Sequence, residues 1–152
     1  MLNLEDLVLH GSSGVIDLGR GVAEVVSSLG LPEMREPQKK SYPEILKYGD
    51  IEVRFRWGVL EGVSVNLSPG IPVEGYCFEV EGFWPESRRC IWEVGRMLEG
   101  SEVSWAPDPI MSDPGSPVWV TEAGVHLAFH GDLLCRLGVA RVTGQSSMRE
   151  SQ

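Results

Sequence analysis

The pattern that most limits how this chain can fold is an alternating segment that occurs twice. Ile51, Val53 and Phe55 alternate with Glu52, Arg54 and Arg56, the period-2 signature of a strand with one face against a core. A shift of about seventy-four residues lays Ile51-Glu52-Val53-Arg54-Phe55 on Val125-His126-Leu127-Ala128-Phe129. The same shift puts Val59-Leu60 on Leu133-Leu134, Val63 on Leu137 and Val65 on Val139. Trp57-Gly58 turns the first hairpin, and Gly131-Asp132 is a turn signal at the tip of the second.

A helical pattern precedes each hairpin. Residues 16–32 read as one amphipathic helix, because Val22, Val25, Val26 and Leu29 recur at the spacing of one buried face. Gly30 suits the position after its last turn, and Pro32 prevents continuation. The second helix starts after Ser87 as N-cap, shows Ile91, Val94 and Leu98 on one face, and ends at Gly100. Short strands are expected at Tyr76 to Val80, at Glu102 to Trp105 and at Val118 to Thr121, with 106–117 too rich in proline for a regular element.

The expected fold class is therefore α+β: an antiparallel sheet from two α-β-β-like units, with two helices packed on it. One domain is expected over 1–145, with units at 16–83 and 87–142 and a disordered tail at 146–152. Chance likeness between two amphipathic hairpins is the alternative to a duplication. Eighteen glycines and ten prolines in 152 residues agree with many turns rather than a helical bundle.

No basic, apolar leader opens the chain, and no apolar run reaches the ~18 residues of a membrane span, so a cytoplasmic protein is expected. Cys77, Cys90 and Cys135 are odd in number and widely spaced, which predicts buried reduced thiols rather than disulfides or a zinc site.

The net charge of −9 is unevenly placed. Trp57 to Ser87 contains no Lys or Arg but has Glu61, Glu74, Glu79, Glu81 and Glu86. Met97 to Cys135 again lacks a basic residue and has Glu99, Glu102, Asp108, Asp113, Glu122 and Asp132. Such a surface repels nucleic-acid phosphates and suits a basic protein partner, although it also serves simple solubility.

Catalytic patterns are thin. GxSxG, HExxH, GxxxxGK[ST] and GxGxxG do not occur, and Gly11-Ser12-Ser13-Gly14 lacks the lysine of a phosphate cradle. His126 and His130 lie on one strand face about 13 Å apart, too far to share a metal. No cofactor or metal is expected. Five tryptophans, at 57, 84, 92, 105 and 119, are too many for all to lie in the core; exposed aromatics beside acidic residues serve as interface anchors, and capping the ends of the core is the alternative.

Tyr48-Gly49-Asp50 has a structural reading. Gly49 supplies a positive φ, Asp50 bonds a nearby backbone N–H, and Tyr48 packs its ring on the sheet with its hydroxyl in water.

The run Val25-Val26-Ser27-Ser28-Leu29-Gly30-Leu31-Pro32, followed by Tyr42-Pro43-Glu44-Ile45-Leu46-Lys47-Tyr48-Gly49-Asp50-Ile51-Glu52-Val53-Arg54-Phe55, resembles a group of small bacterial proteins. In that group a helix ending LG-x-P is followed by an "lkYGDlE-x-x-F" strand, and several members are regarded as immunity proteins of polymorphic or contact-dependent toxin systems. A fainter likeness, in helix and hairpin order alone, is to small outer-membrane assembly lipoproteins, whose signal peptide and lipidated cysteine are not seen. The main resemblance covers residues 16–66. It implies a non-catalytic protein that occludes one cognate toxin, and the acidic stretches suit a basic toxin such as a nuclease. Contact residues are expected at Glu74, Glu79, Glu81, Trp105, Asp108 and Asp113. The alternatives are an interaction or scaffold module, homodimeric through a sheet edge, and an enzyme or metal protein using His126, His130 or Cys135.

Overall fold

The computed structural model describes residues 2–69, 71–81 and 89–140. The chain runs β1 (Leu2–Asn3), α1 (Leu4–His10), α2 (Val22–Leu29), β2 (Met34–Glu36), β3 (Glu44–Tyr48), β4 (Ile51–Arg56) and β5 (Val59–Asn66). It continues with β6 (Val80–Glu81), α3 (Ile91–Gly100), β7 (Trp105–Pro107), β8 (Val118–Thr121), β9 (Val125–His130) and β10 (Leu133–Ala140).

Eight of these strands form one antiparallel sheet in the order β2-β3-β4-β5-β10-β9-β8-β7, so two four-stranded halves meet at β5 and β10. The hairpins β4–β5 and β9–β10 coincide under a shift of seventy-four residues at both ends of both strands. They also share a β-bulge, which leaves Glu61 unpaired in the first hairpin and Cys135 at the equivalent place in the second. The tips differ, since Trp57 and Gly58 both have positive φ, whereas the second tip uses Gly131.

Alternation of burial along β4 and β9 puts one sheet face on the core. Leu46, Tyr48, Val53, Phe55, Val63, Leu127, Phe129 and Leu137 lie there with Leu4 and Leu7 of α1, Val25 and Leu29 of α2, and Val94 and Leu98 of α3. Burying this set is the main favourable term of folding, at roughly 1.5–3 kcal/mol per large side chain. The other face carries Arg54, Ser64, His126, Ala128, Arg136 and Gly138.

Several local expectations change. α2 begins at Val22, not residue 16, because Asp17 instead closes a loop. Its Oδ1 accepts from the Ser12 hydroxyl and the Ser13 and Gly14 amides, and these bonds outweigh burial to hold the Asp17 carboxyl below its usual range. α1 is a third helix that the hydrophobic spacing did not announce; it is one of seven residues, N-capped by the Asn3 side chain. The segment from Tyr76 to Phe78 is not a strand, since Tyr76 takes φ +68 and only Val80–Glu81 extends, pairing in parallel with β1. β7 starts at Trp105 and includes Pro107, which an edge strand tolerates. Cys90, not Ser87, precedes the first turn of α3. The expectations for Trp84, the Glu81 side chain and the tail lie outside the described residues.

Tyr48 is also corrected. It is fully buried, and its hydroxyl donates to the Gly30 carbonyl at 2.8 Å rather than to water. Burial, with the nearby Cys77 thiol, pushes its phenol up to about 12. The cysteines are free but not buried: Cys77 is exposed, and Cys90 and Cys135 are half-buried.

Candidate functional site

The expected contact residues divide among different parts of the molecule. Glu74 and Glu79 are exposed and line one shallow cavity of about 300 Å³ with Val73, Tyr76 and Phe78. That loop is fastened to the Gly49-Asp50 turn. The Asp50 amide donates to the Glu74 carbonyl, and Asp50 Oδ2 accepts from the Glu74 amide, both at 2.9 Å. Gly49 takes φ +60, and a side chain there would meet the Glu74 backbone. Asp50 thus bonds a backbone group twenty-four residues away, which local turn chemistry does not announce.

Asp108 and Asp113 sit in the loop between β7 and β8 as turn-formers. Asp108 Oδ1 accepts from the Ile110 and Met111 amides, and Oδ2 lies 3.7 Å from His126 Nε2. These amide bonds, Met111 first, draw its carboxyl below the usual range. Asp113 does the same for Gly115 and Ser116. Each carboxylate thus braces its loop through Oδ1.

Trp105 lies elsewhere. It stacks on Trp119 of β8, centroids 5.1 Å apart and planes at 28°, and Trp119 in turn meets the core residue Phe129 at 4.8 Å. The three rings run from the core to the sheet edge. α3 comes close to them through Gly95, where a Cβ would sit 3.5 Å from the Trp119 ring and 3.6 Å from that of Trp105. A larger side chain there would push the helix away.

Between α3 and this edge lies a cleft of about 440 Å³, lined by Ile91, Trp92, Arg96, Glu99, Trp105 and Trp119. Trp92 is 57% exposed, and Glu99 is exposed beside it. Arg96 is engaged by Glu93 at 3.0 Å, so the cation at the rim is neutralised. The cleft combines aromatic faces with acidic charge, an arrangement that attracts a Lys or Arg side chain by both Coulomb and cation–π terms. Trp92 and Trp119 belong to it beside Trp105, and the sequence marked them only as members of a tryptophan excess. Trp57, 73% exposed at its hairpin tip, stands apart from this cleft.

His126 and His130 lie on the face away from the helices, with Asp108 Oδ2 near His126. Among the described residues there is no group of three or more His, Cys, Asp or Glu placed to hold a metal ion. No helix among them is long and apolar enough to cross a membrane. No family description, curated protein or solved structure matches the chain.

Proposed function

We propose that this protein is a binding protein that neutralises a basic toxin domain by stoichiometric occlusion, with the tryptophan cleft as its anchor point. The observation that carries the reading is the pairing of exposed Trp92 and the Trp105–Trp119 stack with Glu99 at one sheet edge. Aromatic side chains concentrate binding energy in such clefts, and an acidic rim speeds encounter with a basic partner. The net charge of −9 acts in the same direction. Glu74 and Glu79 form a second acidic surface.

The experiment is co-expression with the product of the neighbouring gene, read as cell survival and as a one-to-one complex in gel filtration. Survival at the level of an empty vector, with no complex formed, removes the toxin-neutralising reading.

A further inference from the structure

The sheet face turned away from the helices holds two arginines that converge on one hydroxyl. Arg54 Nη1 of β4 donates to Ser64 Oγ of β5 at 2.6 Å, and Arg136 Nη2 of β10 donates to the same oxygen at 3.1 Å. Ser64 lies on the open face yet is only 3% exposed, because these side chains lie over it. Glycine at position 62, opposite Arg54 in the β4–β5 register, makes the room, since a Cβ there would collide with the guanidinium.

The arrangement is electrostatically unfavourable by itself. A serine hydroxyl has two acceptor positions and no charge, so it bridges the two cations without neutralising them. Glu61, the carboxylate on this strand, is held by Arg56 at 2.9 Å. Among the described residues neither Arg54 nor Arg136 has a carboxylate within ion-pair distance. Burial, and then the Arg136 charge, draws Arg54 below its usual range, and the more distant Glu52 and Glu61 carboxylates offset this only in part. Two close guanidiniums on an acidic protein call for an anion.

The surroundings narrow its chemistry. The arginines border a cavity of about 230 Å³, with Val118, Ala128, Gly138 and Ala140 among its lining residues and His126 on one side. These small and apolar residues leave open space beside the charges rather than more hydrogen-bond donors. A bare inorganic ion would leave that apolar surface uncovered, whereas an anion with a short apolar body would cover it.

We propose that Arg54, Arg136 and Ser64 form a binding site for a small organic oxyanion, a carboxylate or phosphate monoester whose apolar body rests on Val118 and Ala128. The guanidiniums donate to the oxyanion, and the ligand supplies the direct ion pair that neither arginine makes among the described residues. The site lies on the face opposite the core-facing Trp119, so it is separate from the toxin-binding reading.

The test is calorimetric titration of the whole purified chain with phenyl phosphate and with benzoate, at matched ionic strength in chloride, alongside NMR of the arginine Nε–H signals. At least one probe should bind saturably at one per chain and shift the Arg54 and Arg136 signals. Arg136→Gln, a change at an exposed side chain, should weaken binding about tenfold or more, the scale of one charge-assisted hydrogen bond. Arg54→Gln should do the same, with its melting midpoint checked against the parent. Binding of phenyl phosphate alone assigns the site to phosphate esters, and of benzoate alone to carboxylates. No saturable binding by either probe, or undiminished binding in Arg136→Gln, overturns the site. Inorganic phosphate binding as tightly as phenyl phosphate overturns the organic ligand. No toxin enters this assay, so its failure leaves the neutralisation experiment unaffected.

Discussion

Ser64 and Gly138 face each other across the β5–β10 pair, at the point where the two halves of the sheet meet. They are seventy-four residues apart, the same shift that superimposes the hairpins, so the pairing register and the sequence repeat have one centre. Val63 pairs with Val139 and Val65 with Leu137, which exchanges the two halves about that point. A pseudo-twofold relation of this kind lets each hairpin complete the other's hydrogen bonding.

The two arginines are not related by it. Arg54 corresponds to Ala128 and Arg136 to Gly62, so each hairpin carries one arginine opposite one small residue, on exchanged strands. Gly62→Ala should therefore displace the Arg54 guanidinium from Ser64 and cost little stability, within about 1 kcal/mol, since the end of a flexible side chain can move. Loss of the Arg54 Nε–H shift difference in NMR, with an almost unchanged denaturant midpoint, is the expected result.

Gly49→Ala should be among the most destabilising single changes on the surface. It combines a positive φ with a collision against the Glu74 backbone, which cannot yield as a side chain does. A loss of about 2 kcal/mol or more in urea unfolding is expected. Asp50→Ala should cost about 1 kcal/mol, the value of the lost bond to the Glu74 amide.

Tyr48→Phe removes the only hydroxyl donated to the Gly30 carbonyl by a side chain among the described residues, and about 1–2 kcal/mol of stability should go with it. Its pH signature is separate. The folded phenol ionises at about 12 and the unfolded one near 10.0, so the unfolded state loses its proton first. Stability is fully present below pH 10 and should fall as pH rises from there toward 12. Tyr48→Phe should flatten that part of the stability profile.

Asp108 has the opposite sign. Its folded carboxyl titrates below the usual 3.8, so its contribution is present above that value and is lost as pH falls through the folded value. The protection factors of the Ile110 and Met111 amides, taken relative to the intrinsic rate at each pH, should fall in acid, and Asp108→Asn should remove most of that dependence.

Trp92→Ala should weaken the proposed toxin complex by at least tenfold while leaving the melting midpoint within a degree or two, because the ring is largely exposed. Trp119→Ala should instead destabilise the fold by about 3 kcal/mol, since its ring packs between Trp105 and Phe129.

The strands β4, β5, β9 and β10 were legible in the amino-acid order because each places apolar side chains on one face with period 2. β2 and α1 were not, as three and seven residues are too short for a periodicity to stand out. For Tyr76 to Phe78 alternation was present and misleading: Pro72, Gly75 and the left-handed Tyr76 decide that segment, and among the described residues no neighbouring strand pairs with it. Local chemistry alone therefore determined the α+β class, the hairpins, their repeat and the positive φ of Gly49. Only the tertiary structure decided that the Tyr48 hydroxyl meets Gly30, that Trp92, Trp105 and Trp119 share a cleft, and that Arg54 and Arg136 meet over Ser64. Such relations depend on which strands become neighbours, and the β5–β10 pairing joins segments seventy-four residues apart through contacts that periodicity within either segment does not encode.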